Sequence, residues 1–206
     1  MQFASAIPWP AHHFRMAQTP QSLQPKCLIF DLETVPQAEG ERPRIIKIGA
    51  LRPDTGETLE LDTGVRPDAA LARLDAMCAG ASFVLGHNVL AHDLPVLRAL
   101  APDSPLLQLP AIDTLRLSPL AFPQNPYHRL IKDYKLIRDS LNSPLSDCRS
   151  TLTLFADQQL AFDRLFEANA DELLCYQALI GPRRAAHRAG TGQLHVLADP
   201  PHAAAI

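Results

Sequence analysis

The segment Cys27-Leu28-Ile29-Phe30-Asp31-Leu32-Glu33-Thr34 carries the clearest structural signal in this chain. Its first four residues form an apolar run of the length expected for a buried strand, and Pro36 closes the segment. Because side chains alternate across a strand, Asp31 and Glu33 are predicted to share one face of the pleat. Two carboxylates beside a core are costly without a compensating positive charge, and a hard cation with oxygen ligands supplies one. The pair therefore predicts a divalent metal site at the end of a core strand.

Acidic pairs at the same spacing recur at Glu39 and Glu41 and at Glu60 and Asp62. For any such pair, a solvated strand end is the simpler interpretation, and it stays open here. The first pair differs in following four apolar residues directly, which favours a metal site.

Two β-capable segments follow this strand, at 45–50 and 58–62, and the residues 53–56 between them have turn chemistry. Together with the first strand they predict a three-strand antiparallel meander. Apolar spacing predicts helices over 68–78, 93–100, 130–137, 143–166 and 171–179, and short strands at 83–85 and 112–115. Three prolines predict a loop over 118–126. This order of elements predicts an α/β fold, with a mixed sheet and helices packed on it.

The composition is typical of a soluble globular protein, with 206 residues, 47% of them hydrophobic, 20% charged, and a net charge of -3. The four cysteines form no C-x-x-C pair, the N-terminal residues lack a signal-peptide pattern, and no apolar run reaches the ~20 residues that span a bilayer. We therefore expect a cytoplasmic protein without membrane contact, outside the disulfide-stapled class. The charge argues against wholesale coating of nucleic acid but allows a local basic groove.

The two ends of the chain differ from its middle. Residues 1–25 contain four prolines and no clear period, which predicts an extended arm. Residues 181–206 begin with a basic patch and continue into an alanine- and proline-containing stretch, which predicts a peripheral tail or linker. One folded domain is expected over 26–180.

Two further acidic residues stand at predicted helix starts. Asp93 follows the turn Gly86-His87-Asn88-Val89-Leu90-Ala91-His92, and Asp147 lies near the start of the long C-terminal helix. An acid in a first turn is commonly a cap that satisfies the helix dipole, and this explanation fits each residue taken alone. Together with the first pair, however, they complete a pattern of four acids.

This pattern resembles the DnaQ-like, or DEDD, family of 3′–5′ exonucleases. The first family motif is D-x-E at the end of the first strand, as in Asp31-Leu32-Glu33. The second is roughly N-x(2–3)-aromatic-D, as in Asn88-Val89-Leu90-Ala91-His92-Asp93 with His92 in the aromatic position, and the third is an Asp on a C-terminal helix, as at Asp147. Order and spacing agree over about residues 27–166. The second and third motifs are also similar to the exonuclease-like region attached to some bacterial RecQ-type helicases.

The resemblance implies a ribonuclease H-like mixed sheet, made of the meander plus parallel strands, with helices on both faces. It implies that Asp31 bridges two Mg²⁺ or Mn²⁺ ions, that Glu33 and Asp147 complete one site, and that Asp93 supports the other mostly through water. The implied activity is two-metal-ion hydrolysis of phosphodiester bonds at the 3′ ends of single-stranded DNA or RNA. A helicase is the implied partner or fusion.

The general base departs from the family pattern. One branch has a His five residues before the last Asp and another has a Tyr four residues before it, whereas this chain has Asn142 and Ser143. Neither takes a proton from water at neutral pH as an imidazole does. His128 is a candidate substitute, although a surface-loop histidine is the simpler interpretation. A missing base costs ~10²–10⁴-fold, so the alternative is a weakened or inactive module that binds nucleic acid or protein.

Candidate substrate-binding residues lie beside these motifs. His87 and His92, together with Asn88 and Thr34, are predicted to position backbone or substrate rather than to bind metal. Tyr127 is a candidate platform for stacking a base. The best candidates for phosphate contacts are the basic residues of the same region, Arg129, Lys132, Lys135, Arg138 and Arg149. For each of them, ordinary packing or a solvated face is the simpler alternative.

Overall fold

The computed structural model describes residues 24–35, 42–61, 67–126, 128 and 143–180. Most of the predicted arm (1–23), the helix predicted over 130–137 and the tail predicted over 181–206 lie outside these ranges. The described strands are β1 (Cys27–Val35), β2 (Arg44–Leu51), β3 (Thr58–Leu61), β4 (Phe83–Gly86) and β5 (Ala111–Asp113). The helices are α1 (Pro67–Ala76), α2 (Asp93–Leu100), α3 (Thr114–Ala121), α4 (Pro144–Ala168) and α5 (Ala170–Ile180), with a short 3₁₀ helix at Pro105–Gln108.

The five strands form one mixed sheet in the order β3-β2-β1-β4-β5. β2 runs antiparallel to both β1 and β3, whereas β4 is parallel to β1 and β5 is parallel to β4. The meander is therefore confirmed, and β1 is the central strand. This order and these directions define a ribonuclease H-like α/β fold, as the sequence predicted.

One face of the sheet is covered by α1 and α2. Leu28, Phe30 and Leu32 of β1 belong to the same buried cluster as Leu74 of α1 and Leu97 of α2. These β1 residues alternate along the strand, as expected when one side of a pleat faces a helical layer.

The other face is covered by α3, α4 and α5. Here Cys27 and Ile29 of β1 pack in a second buried cluster that includes Leu145 and Phe155 of α4. The ring of Phe83 lies 6.3 Å from that of Phe155, centroid to centroid. Asp31 and Glu33 continue the alternation of Cys27 and Ile29 along β1. Their side chains are therefore on the α4 side of the sheet.

The loop predicted over 118–126 is wrong in its first part, because α3 continues into it with Pro119 inside the helix. Pro119 has no N–H, so the second turn of α3 lacks one backbone hydrogen bond. A tertiary contact nevertheless holds the start of α3, since Gln158 Nε2 of α4 donates to the carbonyl oxygen of Thr114 at 2.8 Å. Within the helix, Ser118 Oγ donates to the same oxygen at 2.9 Å. The proline content of a segment does not reveal such contacts.

None of the helices in the described ranges combines the length and the apolar content that crossing a bilayer requires.

Candidate metal centre

Three of the predicted acids come together at the junction of β1 and α4. One ligand oxygen from each of Asp31, Glu33 and Asp147 lies within 4.8 Å of the corresponding oxygens of the other two. All three side chains are half-buried. Carboxylate oxygens are the ligands that Mg²⁺ and Mn²⁺ prefer, and such a group suits a hard divalent ion. We refer to these three residues as the acidic triad.

The start of α4 brings Asp147 to β1. Ser143 caps the helix, because its Oγ accepts a hydrogen bond from the N–H of Ser146 at 3.1 Å and its carbonyl accepts one from the N–H of Asp147 at 3.1 Å. The Ser143 hydroxyl also donates to Oε1 of Glu60 on β3 at 2.5 Å. The first turn of α4 is therefore tied to the sheet, and Asp147 is in that turn.

Gly49 on β2 permits this close approach. It is the direct partner of Asp31 in the β1–β2 register. A Cβ atom at position 49 would overlap with the backbone of Pro144 and Leu145. Only a residue without a side chain leaves room for the start of α4 beside Asp31.

Asp93 is beside the triad but outside it. Its side chain is 1% exposed, and its Oδ1 accepts a hydrogen bond from the N–H of Leu32 at 2.8 Å. Burial, together with the negative charge of Asp31, raises the pKa of Asp93 to about 8. The hydrogen bond from Leu32 opposes this shift. A divalent cation at this position would favour the ionised carboxylate and lower its pKa.

The turn before Asp93 is held by a residue that the sequence analysis did not select. Oδ1 of Asp113, at the end of β5, accepts hydrogen bonds from the N–H groups of Asn88 (2.8 Å) and Leu115 (2.9 Å), and Oδ2 accepts one from Leu90 (3.2 Å). Asn88 has a positive φ of 68°, which asparagine tolerates better than most residues. Asp113 thus links the second motif to the start of α3. The sequence signal that could have identified Asp113 was an acidic residue at the end of a strand.

His92 and His87 also contact the strand ends. Nε2 of His92 lies 3.2 Å from the carbonyl oxygen of Leu32, between the two acids of the first motif. Nδ1 of His87 lies 2.9 Å from Oγ1 of Thr114. Among the described residues, the group that could hold a metal ion includes neither histidine.

The buried thiol of Cys148 lies close enough to the site for its carboxylates to affect the pKa of the thiol. Cys148 follows Asp147 on α4, and burial raises the pKa of its thiol well above the usual range. The negative charges of Asp31, Asp93 and Asp147 raise this pKa further. The same buried thiol is thus affected by all three carboxylates. A concentration of negative charge of this kind is stabilised by a cation.

Several predicted site residues lie outside the described ranges, so the structure gives no positions for Asn142, Tyr127, Arg129, Lys132 and Lys135. Thr34 follows an irregularity in the pairing of β1 with β2. His128 is half-buried, and within the described part of the chain no group forms a hydrogen bond with its buried Nδ1. The described candidate metal ligands do not include His128.

Lys47 is a further residue that the sequence analysis missed. It is the register partner of Glu33 on β2, so both side chains are on the α4 side of the sheet. A lone lysine in a strand gives no signal in the sequence, because the pairing register decides what it faces.

The fold and the acidic triad together define a ribonuclease H-like domain with a candidate divalent-metal centre. No protein-family model and no curated protein matches the chain. Likeness to solved structures is distant.

The family B DNA polymerase from the archaeon Pyrobaculum calidifontis is 15% identical with a TM-score of 0.41, over 80% of this chain and 31% of the polymerase. The EXO domain of Aedes aegypti Nibbler is 16% identical with a TM-score of 0.38, over 75% of this chain and 86% of that domain. The Neurospora crassa Pan2 catalytic unit, with protease and nuclease domain, is 16% identical with a TM-score of 0.38, over 82% of this chain and 31% of the Pan2 unit. The chain thus spans about a third of the polymerase and of the Pan2 unit. Likeness at this level does not assign an activity.

Proposed function

We propose that this chain is a metal-dependent 3′–5′ exonuclease that hydrolyses phosphodiester bonds of single-stranded DNA, or of RNA. The acidic triad carries this proposal, because three carboxylates from two distant segments meet within coordination reach. The match of Asp31, Glu33, Asp93 and Asp147 to the motifs of DnaQ-like exonucleases supports it. The resemblance to the region attached to RecQ-type helicases makes a helicase the candidate partner, since unwinding would supply single strands.

The triad would hold one divalent ion, and Asp93 would support a second one near Asp31. Bound Mg²⁺ or Mn²⁺ would stabilise negative charge on the phosphodiester and lower the pKa of the attacking water. The chain itself holds the carboxylates in place: the Ser143 cap fixes Asp147, and the N–H of Leu32 fixes Asp93. Lys47, the register partner of Glu33, is a candidate for contact with a phosphate of the substrate.

The test is cleavage of a 5′-labelled single-stranded oligonucleotide, as DNA and as RNA, with Mn²⁺ or with EDTA. We expect a ladder of progressively shorter labelled products with Mn²⁺, and no shortening of a circular single strand. Asp31→Asn should lower the rate by at least about 100-fold, because loss of even a second-shell group costs about 10–100-fold.

Asp103→Asn is the matched control, since Asp103 is exposed and lies outside the site. It should cleave at the wild-type rate. Full activity of Asp31→Asn, or release of the label as a mononucleotide, would contradict the proposal.

A nucleic-acid-binding module without turnover is the second candidate. The observation that favours it is Asn142, which occupies the position of the family histidine. Binding of single-stranded DNA without shortening, in wild type and in Asn142→His alike, would establish this alternative. A gain in cleavage on Asn142→His would instead support a nuclease with a weakened base.

A further inference from the structure

The second motif holds the strand that carries the first motif. Oδ1 of Asp93 accepts a hydrogen bond from the N–H of Leu32 at 2.8 Å, and Nε2 of His92 lies 3.2 Å from the carbonyl oxygen of Leu32. A carbonyl oxygen can only accept, so the imidazole is the donor and its Nε2 carries a proton. Two adjacent residues thus bind both backbone polar groups of the residue between Asp31 and Glu33.

The strand order explains why Leu32 needs these two partners. The pairing of β1 with β4 ends at Ile29, whereas β1 continues to Val35. Because the N–H of Leu32 is donated to Asp93, the backbone groups of Leu32 point away from β2 and towards the side of β4. Leu32 is buried, and a buried carbonyl without a partner would lower stability. His92 and Asp93 thus take the place that a neighbouring strand would occupy.

The backbone at Leu32 sets the spacing of two triad ligands. Asp31 and Glu33 flank it and pair with residues of β2, so β1 is held along one edge by β2 and along the other by the second motif. Their ligand oxygens lie within 4.8 Å of each other and of the Asp147 oxygen. Because Leu32 links the two acids, a rotation of its backbone would move one carboxylate relative to the other. Loss of a group that orients a metal ligand typically lowers affinity about 10–100-fold.

We propose that His92 is a positioning residue of the metal centre, which holds the Leu32 carbonyl and thereby keeps Asp31 and Glu33 in coordination geometry. This inference rests on the metal-dependent function proposed above. The family pattern has an aromatic residue at the position of His92, and phenylalanine has no N–H to donate to that carbonyl. If His92 has this role, replacing it by phenylalanine damages the site, although the family pattern allows that residue.

Three substitutions of His92 separate the hydrogen bond from the shape of the side chain. Glutamine places an N–H at the position of Nε2, whereas phenylalanine fills the space without a donor and asparagine reaches only the position of Nδ1. We expect His92→Phe and His92→Asn to bind Mn²⁺ about 10–100-fold more weakly than wild type, and His92→Gln to stay within about threefold. Calorimetric titration measures the affinity, and cleavage at limiting Mn²⁺ should follow the same order. Wild-type affinity in His92→Phe and His92→Asn, or an equal loss in all three variants, would overturn the inference.

Ser104→Ala is the control for a loss of stability alone. The buried hydroxyl of Ser104 donates to Oδ1 of Asp75 at 2.5 Å. Asp75 belongs to α1, on the opposite face of the sheet from the triad. This variant should unfold at a lower temperature than wild type and keep wild-type Mn²⁺ affinity. If its affinity fell as far as that of His92→Phe, His92 would act through stability alone and the inference would be wrong.

A second readout needs neither metal nor substrate. In the metal-free protein, the N–H of Leu32 should exchange with solvent about tenfold faster in His92→Phe than in wild type, the change expected from one lost hydrogen bond. His92→Gln should preserve the slow exchange, and the N–H of Leu28, where β1 pairs with β4, should change less. Unchanged exchange at Leu32 in His92→Phe, or an unprotonated Nε2 of His92 in the ¹⁵N spectrum of wild type, would contradict the proposed role.

The outcomes distinguish this inference from the proposed function. A wild type that binds Mn²⁺ but never cleaves nucleic acid overturns the nuclease function, and the Mn²⁺ affinities of the variants still decide the role of His92. An active wild type whose affinity for Mn²⁺ is matched by His92→Phe overturns the role of His92 alone.

Discussion

Asp93 shows how burial changes the chemistry of a single carboxylate in this protein. It is the least exposed of the four motif acids, and its raised pKa, about 8, means that the metal-free protein holds a proton there at neutral pH. Metal binding would then release this proton, which couples affinity for the ion to pH.

A pH dependence of stability follows from this shift. The folded-state pKa of Asp93 is above its ordinary value of 3.8, so the folded state binds the proton more tightly than the unfolded state. Its contribution is fully present below pH 3.8 and is lost as the pH rises to about 8. The slope is at most about 1.4 kcal/mol per pH unit for one proton. Urea unfolding in EDTA at pH 5 and pH 8 measures it.

Asp93→Asn is the comparison, since its amide oxygen can still accept the hydrogen bond from Leu32. We expect the variant to lose less stability than wild type between the two pH values. An equal loss in both proteins would show that Asp93 is ionised throughout.

Asp113 supports the site without belonging to it. Asp113→Ala removes all three hydrogen bonds to the backbone, whereas Asp113→Asn can keep the two made by Oδ1 and loses the one to Leu90. We expect Asp113→Ala to lower the free energy of unfolding by about 1–3 kcal/mol and to weaken Mn²⁺ binding, with Asp113→Asn intermediate. Chemical denaturation and calorimetric titration with Mn²⁺ measure these effects.

Asn169→Ala provides the control for a lost cap. Asn169 Oδ1 accepts a hydrogen bond from the N–H of Glu172 at the start of α5. Its loss should cost about 1 kcal/mol and leave Mn²⁺ affinity unchanged. If Asp113→Ala and Asn169→Ala weakened Mn²⁺ binding equally, Asp113 would have no particular link to the metal site.

At the scale of elements, the site depends on how closely α4 approaches β2. The first turn of α4 carries Asp147, and Gly49 on β2 leaves room for its backbone. Strand β1 supplies Asp31 and Glu33, and helix α4 supplies Asp147. Because these two elements are distant in the chain, the triad exists only if they pack against each other.

Gly49→Ala should therefore damage the site more than the fold. The added methyl group forces the start of α4 away from Asp31, at a cost typical of overpacking, about 1–3 kcal/mol. Because Asp147 moves with the helix, we expect Mn²⁺ affinity to fall by about 10–100-fold. Thermal unfolding and calorimetric titration test the two effects separately.

Leu51→Ala is the matched control on the same strand. Leu51 belongs to the cluster under α4, and its truncation should cost about 2–5 kcal/mol without displacing the start of the helix. The folded variant should keep wild-type Mn²⁺ affinity. A wild-type affinity in Gly49→Ala would contradict the role assigned to this glycine.

At the scale of the whole molecule, metal binding and folding are linked through the acidic triad. An ion that binds only the folded state stabilises it by about 2.7 kcal/mol at 100 times its dissociation constant. For a chain of this size, we expect Mn²⁺ to raise the melting temperature by about 5–10 °C and EDTA to reverse the change. Asp31→Asn should abolish the increase, whereas Asp103→Asn should retain it. The same increase in Asp31→Asn would place the ion elsewhere.

The linear sequence was sufficient for the five described strands and for helices α1, α2, α4 and α5, because these depend on local apolar spacing. It was also sufficient for the meander, whose strands are joined by short turns. It failed at α3, a proline-containing helix. Gln158 of α4 stabilises this helix by donating a hydrogen bond to the carbonyl oxygen of Thr114.

Only the tertiary structure placed Asp147 beside Asp31 and Glu33. It also buried Asp93, whose carboxylate accepts a hydrogen bond from the N–H of Leu32, and it paired Lys47 with Glu33 across the sheet. The physical reason is that local spacing reports which face of its own element a side chain occupies. The distance between two elements depends instead on the packing that joins them, here the close approach that Gly49 allows.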